Sequence, residues 1–565
     1  MEVLRDTWRG RWNEALGLWS RWTRLSEPRF CLTTQEAVME GLTRSFAMIR
    51  LVDHAVVLDL EAIVRCRLDD FPVEVMGHEV GHHILCPGDL TDHARMLARM
   101  RRGLPGQEAQ APLVGNLYGD LLINDRLQRI ATLRMAQIYQ RLGSGSTDPL
   151  WLFYMRIYEV LWNLPRRTLA LGDTTEEMEL DAWLGARLIR SYAADWLRGS
   201  GRFAMLVLPY LEHDGGEATR RILQDWLDTE GGQDGIPDGL TEIEDDEIDG
   251  AIHPRLDPEL SGVPAEKPAS GPPAQGGGGG GQTRSPFEYG QLLKALGVKL
   301  DDQDIAVRYY RERSTSYLVP FPTRRAPEST EPMPEGVQAW DIGSPLEDID
   351  WLESLVVSPR PVPGVTTRQR VYGTVAGAEP AREPVDLDLY IDCSGSMPDP
   401  RRQESFLALA GTIMARSALR VGAAVQATLW SGPGQFWSTR GFVRDETDIL
   451  RIVTGYLDGG TAFPLHVLRD TYGKPRKRKV HIMVVSDDGV DTMLQKDEKG
   501  RNGLDIATAA LLAAGGGGSM VLQLGGGDHP RLRPLQPLFD IYPVREWNEL
   551  LAFARAFSRK TYGGP

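Results

Sequence analysis

From about Thr229 the chain turns acidic and then rich in proline and glycine. It passes Glu242-Ile243-Glu244-Asp245-Asp246-Glu247 and ends in six consecutive glycines, Gly276 to Gly281. A stretch of that composition buries too little apolar surface to offset the entropy of ordering it. It predicts a disordered linker over residues 229–285 and separately folding halves, since 565 residues are too many for one ordinary core.

Composition narrows the function classes. Hydrophobic content of 42% and charged content of 25% are those of a soluble globular chain. A net charge of -15, from 63 basic and 78 acidic residues, argues against nucleic acid or an anionic membrane as the main partner. The one dense basic run, Lys474 to Lys479, reads as a solvated approach to the strand that follows. The start Met1-Glu2-Val3-Leu4-Arg5-Asp6 lacks the basic and apolar regions of a leader, and no window of about 18 residues is free of charge. The expectation is a cytoplasmic protein without membrane insertion. Cys31, Cys66, Cys86 and Cys393 have no CxxC spacing and read as small core residues.

Hydropathy patterning differs between the halves. Residues 1–228 read mainly as helix, apart from a strand pair around Asp53-His54 within Ala47 to Leu60. Glu176 to Leu197 predicts a core helix with Leu180, Trp183, Leu184, Ala186, Leu188 and Ile189 on its packed face. Residues 286–384 are weakly periodic and predict an irregular intermediate segment. Over 385–565, strands alternate with helices (Leu387 to Ile391, Ser405 to Leu419, Ala423 to Leu429, Glu446 to Leu457, Val480 to Val485, Ile506 to Ala514, Met520 to Leu524, Glu546 to Phe557). That alternation predicts a mostly parallel, doubly wound α/β sheet.

Two metal-binding patterns of opposite chemistry lie about 310 residues apart. In His78-Glu79-Val80-Gly81-His82 the histidines fall one helical turn apart on one face, where both reach a single Zn²⁺. Glu79 then sits beside the metal, placed to take a proton from water. Val73, Met76, Val80 and Ile84 supply an apolar stripe, and Pro87 ends the helix. A catalytic zinc needs a third protein ligand. Gly88 stands where a metzincin would have its third histidine. Asn116, Asp120 and Asn124 share a helical face downstream; Asp120 is the preferred third ligand, with the two asparagines hydrogen-bonding around it. The alternative is that Asp120 only orients a histidine. His83, Asp89 and His93 are weaker candidates.

The second pattern is made of oxygen alone. Asp392 ends an apolar strand, and Ser394 and Ser396 follow in the turn, at the strand end where open α/β sheets bind ligands. Carboxylate and hydroxyl ligands suit Mg²⁺. Thr461 and the strand-end Ser486-Asp487-Asp488-Gly489 complete the set. No phosphate loop or GxSxG nucleophile turn is present in the sequence.

Residues 40 to 130 resemble the metallopeptidase-like, zincin-type domains that precede von Willebrand factor A (VWA) domains in bacterial proteins, with an HExxH helix followed by an Asn-x-x-x-Asp-x-x-x-Asn helix. Val385 to Pro565 resembles a VWA domain, a Rossmann-like fold. The resemblance implies a metal-ion-dependent adhesion site with Asp392, Ser394, Ser396, Thr461 and Asp487 as Mg²⁺ ligands, Asp488 being an alternative to Asp487. Together the halves resemble bacterial VWA proteins that work beside MoxR-type AAA+ ATPases. That implies a zinc metallopeptidase tied to a protein-docking domain whose partner is the ATPase or its client, or a non-catalytic adaptor linking the two. The segment from Trp340-Asp341-Ile342-Gly343-Ser344-Pro345 to Pro363-Gly364-Val365-Thr366-Thr367 is also familiar from this group, without an evident physical role.

Overall fold

The computed structural model describes residues 1–43, 45–143, 146–211, 229–230, 236–249, 252–261, 282–321, 323–325, 330–376, 382–474, 476, 478–524, 529–544, 549, 553 and 557. The chain forms two compact units, Met1–Glu312 and Arg313–Pro565. No helix among the described residues is long and apolar enough to cross a membrane.

The first unit is mainly helical around a small sheet. Strands β1 (Arg29–Cys31), β2 (Ala47–Arg50) and β3 (Ala55–Asp59) pair with β3 central, antiparallel to β2 and parallel to β1. His54 takes a positive φ of 53° in the tight turn between β2 and β3. Against this sheet lies α1 (Pro72–Ile84), started by Pro72, whose missing N–H costs nothing in a first turn. Met76 and Val80 of α1 join Ile49, Leu58, Trp19 and Ile123 in one apolar core.

Helix α2 (Ala111–Arg129) crosses α1 closely because Gly81 has no side chain. A Cβ there would fall 2.6 Å from both Ile123 Cγ2 and Trp19 Cζ2. Helix α3 (Pro149–Leu161) packs against α2 from another side, with Tyr154 and Tyr158 on its buried surface.

Two expectations need correction in this unit. Glu176–Ser191 is a helix, but it ends before Leu197, and Leu180 and Trp183 are exposed. The packed face instead holds Asp181, which accepts from Arg255 (2.6 Å) and Tyr210 (3.0 Å). An apolar count cannot see that a carboxylate with two hydrogen-bonding partners at the edge of the core takes a buried position.

The disordered linker expected over 229–285 is also revised in its described parts. Arg99, 1% exposed, is neutralised by Glu244 at 2.6 Å and Asp246 at 2.7 Å. Arg102 pairs with Glu247 at 2.9 Å, and Arg202 with Asp257 at 2.6 Å. These acids are counter-charges for cations on the helices, and Leu240, Ile243 and Leu260 are buried among them. Composition reads such acids as solvated and misses this. Residues 262–281, with the six glycines, lie outside the described residues. The expected intermediate segment, 286–384, contains the helices Pro286–Ala295 and Asp302–Ser314, so the boundary between units falls near residue 312 rather than 285.

The second unit is built on a six-stranded sheet: β4 (Asp386–Asp392), β5 (Val425–Trp430), β6 (Phe436–Ser438), β7 (Val480–Asp487), β8 (Gly515–Gln523) and β9 (Asp540–Pro543). Their order is β6-β5-β4-β7-β8-β9; β6 is antiparallel to β5, and the other pairings are parallel. This is the doubly wound order 3-2-1-4-5-6, whose direction reverses between β4 and β7. Helices Phe406–Arg420 and Glu446–Val453 cover one face, and Leu465–Thr471 and Gly503–Ala514 the other. Burial on both sides is why Leu387, Leu389, Tyr390 and Ile391 of β4 are apolar or aromatic, while Asp386 and Asp392 stand at its two ends. The acid inside the strand is Asp388, fully buried, which accepts from the Tyr472 hydroxyl at 2.9 Å; burial pushes its carboxyl up to about 7. Most of the expected helix Glu546 to Phe557 lies outside the described residues.

Candidate metal centres

The helical unit brings His78, His82 and Asp120 together. His78 Nε2 and His82 Nε2 lie 3.2 Å apart, and each lies 3.5 Å from Asp120 Oδ1. Zinc bonds of about 2.0–2.1 Å in a tetrahedron separate neighbouring ligand atoms by about 3.3 Å. The three atoms thus form one face of a tetrahedron of the right size. His82 is 1% exposed at its side chain, Asp120 11% and His78 12%.

Each imidazole is turned by a partner on its other nitrogen. His82 Nδ1 donates to the Cys86 carbonyl at 2.9 Å, and His78 Nδ1 to Asn124 Oδ1 at 2.7 Å. Both Nε2 atoms therefore point lone pairs at the same space. At 3.2 Å they repel unless a cation, or a proton on one ring, lies between them. Asn116 Nδ2 donates to Asp120 Oδ2 at 3.3 Å. The donor set of two imidazoles and a carboxylate fits Zn²⁺.

Asn124 is itself held by residues that sequence reasoning missed. Its Nδ2 donates to the hydroxyls of Tyr139 and Tyr158, each at 2.9 Å. Tyr158 also meets Tyr139 and Tyr154 at 3.0 Å, and Tyr154 reaches Asp120 Oδ2 at 3.5 Å. Burial raises the Tyr154 and Tyr158 phenols well above their ordinary range, which keeps them protonated. Tyr154 and Tyr158 stand four apart in an apolar helix, the only sequence hint of this layer.

Glu79, 2% exposed, lines a cavity of about 60 Å³ together with His78, Asp120 and Tyr139. Phe46, Val75 and Ile138 give that cavity an apolar wall. His82 and Asn116 also line a larger cavity of about 420 Å³ with His93, Met96 and Lys294. The weaker ligand candidates fall outside the triangle. Burial, with the His82 charge adding to it, lowers His93 to about 4. His83 packs its ring on His54 at 4.2 Å. Asp89 caps the helix Leu90–Gly103, accepting from the backbone of Thr91 and Asp92.

The second site lies at the carboxyl ends of β4 and β7, where the strand order reverses. Asp392 Oδ1 accepts from the Ser394 backbone N–H at 2.8 Å, and Asp392 Oδ2 from Ser486 Oγ at 2.6 Å. Ser394 Oγ and Ser396 Oγ are 3.1 Å apart, and Ser396 Oγ donates to Asp487 Oδ2 at 2.9 Å. A Cβ on Gly489 would fall 2.7 Å from Thr461 Cγ2 and 2.9 Å from Asp487 Oδ1, so Thr461 sits against the same turn. Asp488 is exposed. Of the two adjacent acids it is Asp487 that joins the serines. What sequence reasoning missed here is the contact of Ser486 with Asp392.

Burial raises the Asp392 carboxyl, and the Asp487 charge adds to the shift. A cation between two such carboxylates would offset both effects. With hydroxyls completing the donor set, the residues fit a hard divalent ion.

No protein-family model and no curated protein matches the chain. Among solved structures it is similar to von Willebrand factor type A from Catenulispora acidiphila, with 17% sequence identity and a TM-score of 0.22. That match covers 34% of this chain and 44% of the other, so the chain spans less than half of that structure.

Proposed function

We propose that the chain is a zinc-dependent peptidase-type hydrolase joined to a VWA-type docking domain with a Mg²⁺ site, working with a MoxR-type AAA+ ATPase. The observation carrying the hydrolase reading is the triangle of His78 Nε2, His82 Nε2 and Asp120 Oδ1, with Glu79 on the same cavity. A zinc ion held there would supply Lewis acidity toward a carbonyl and a water. Asn124 and the Cys86 carbonyl keep both imidazoles in the metal-facing tautomer. Glu79 accepts the proton of the attacking water and returns it to the departing nitrogen. The apolar wall of Phe46, Val75 and Ile138 keeps bulk water from competing for that proton. Elemental analysis with a general peptidase assay tests this: Glu79→Gln should retain zinc and lose hydrolysis. Equal activity in wild type and Glu79→Gln would end the hydrolase reading.

A non-catalytic adaptor is the second reading, favoured by the burial of Glu79, which is only 2% exposed. In that reading the helical site is structural and the protein acts by docking alone. For the second unit, the support is an oxygen-only site at the point where the strand order reverses. A partner carboxylate completing a Mg²⁺ coordination sphere would explain why two carboxylates and three hydroxyl side chains gather there. Capture of the partner ATPase should need Mg²⁺ and fail with Asp392→Ala. Undiminished capture under chelation would place docking elsewhere.

A further inference from the structure

Strands Thr323–Arg325 and Arg382–Pro384 pair antiparallel and form the neck of an excursion from the second unit. Beyond the neck, Thr330–Ala339, Arg368–Ala376 and Ile349–Asp350 make a three-stranded sheet carrying the short helix Trp351–Val357. This helix is inside out. Its buried residue is Ser354, whose Oγ donates to the Asp350 carbonyl at 2.6 Å and accepts from the Arg368 N–H at 2.8 Å. Trp351, Leu352, Leu355 and Val356, one face at helical spacing, are 55%, 69%, 49% and 78% exposed.

The adjoining loops show apolar groups to solvent on a held backbone. Trp340 is buried, donating from Nε1 to the Pro345 carbonyl at 3.0 Å and from its backbone to Thr367 at 2.9 Å. The hydroxyls of Thr366 and Thr367 accept from Val362 and Gly364 backbone N–H groups at 2.7 and 2.9 Å. Ile342 lies across Gly364, where a Cβ would meet it at 2.7 Å. Ile342, Leu346 and Val365 nonetheless remain about two-thirds or more exposed. Single exposed apolar residues are ordinary, whereas a fixed cluster of this kind marks an interaction surface.

We propose that the segment from Trp340 to Thr367 is a docking surface for a partner protein whose apolar groove is rimmed by lysine or arginine. Charge selects that occupant. Between residues 340 and 366 the sequence has Asp341, Glu347, Asp348, Asp350 and Glu353 against the single cation Arg360. Asp350 is already paired with Arg370, while Asp341, Glu347 and Asp348 are exposed. A second copy docked through the same patch would set acids against acids, and anionic lipid would be repelled. A basic rim around an apolar groove satisfies both features.

The test uses the full-length protein, in chelator so that the Mg²⁺ site takes no part. The probe is a fluorescein-labelled amphipathic helical peptide with a leucine stripe flanked by lysines, and its counterpart has glutamate in place of lysine. Anisotropy should show saturable binding of the lysine peptide, at least tenfold weaker binding of the glutamate peptide, and at least tenfold loss in Leu352→Asn/Val356→Asn. Both changes are at exposed positions and leave net charge unaltered, and an unchanged melting curve verifies the fold. Absence of saturable binding, or equal binding by the double variant, would overturn the proposal. So would concentration-dependent dimerisation, or flotation with phosphatidylcholine vesicles, that the double variant abolishes, since the surface would then serve a second copy or a bilayer.

Discussion

The two candidate metal centres solve one problem by different means. In the helical unit the ligands come from two crossing helices, and side chains do the orienting: Asn124 turns His78, and three tyrosines surround Asn124 and Asp120. In the sheet unit the ligands come from two strand ends and the turns beside them, and Asp392 is held partly by the Ser394 backbone N–H, which only proline would remove. The helical site is therefore rigid but vulnerable to changes two layers out, while the strand-end site depends on its two carboxylates and little else.

The largest effect that would break this comparison is metal loss confined to one unit. His82→Ala should reduce zinc from about one per chain to near zero by elemental analysis, because two remaining ligands do not hold a catalytic-type ion. The same variant should keep its response to Mg²⁺. Loss of both responses would mean that the centres are not independent.

Asp392→Ala should remove the Mg²⁺-dependent rise in melting temperature while leaving zinc content alone. Binding to the native state stabilises by mass action, so the rise should grow with Mg²⁺ concentration in the unsubstituted protein and vanish in the variant. Calorimetry with and without chelator measures it.

Outer-layer changes sharpen the contrast. Asn124→Ala should weaken zinc affinity by about 10- to 100-fold, the usual effect of freeing a metal-bound histidine. Ser486→Ala should weaken Mg²⁺ binding by less, since the Ser394 N–H still holds Asp392. Competition against a chromophoric chelator reads the first, and isothermal titration the second.

The smallest effect concerns pH. Asp388 has its carboxyl raised from 3.8 to about 7 by burial, so its protonated form favours the native state. The resulting stability is fully present below about pH 4 and is lost as pH rises through about 7. Asp388→Asn should flatten that slope by a few kcal/mol for the sheet unit, read from denaturant melts at several pH values. An unchanged slope would assign the titration elsewhere, with the raised Asp392 as the next group to substitute.

Local geometry was legible in the sequence. His78 to His82 and Asn116 to Asp120 to Asn124 are four-residue steps, which a helix turns into faces, and the α/β alternation after Val385 implies the parallel centre of the sheet but not its short edge strands Phe436–Ser438 and Asp540–Pro543. Tyr139, Tyr154 and Tyr158 were not legible, because their role exists only once three helices have packed. Ser486 was hidden for a similar reason, since it meets Asp392 only across two parallel strands. Leu180 and Trp183 misled because residue type alone was used to choose the packed face, whereas Asp181 holds a core place through Arg255 and Tyr210. The acidic stretch misled in the opposite sense, its charges being read as hydrated when several neutralise buried guanidinium groups.

That last feature sets where the amino-terminal half can be cut. A fragment ending near residue 228 would lose Glu244, Asp246 and Asp257, the counter-charges of Arg99 and Arg202, which are 1% and 3% exposed at their side chains in the whole chain. Stranding a buried charge typically costs about 3–5 kcal/mol, a large part of what a domain has to lose. A polypeptide that stops after Glu312 keeps every one of these partners, so the autonomous piece of this protein is longer than its helices alone imply.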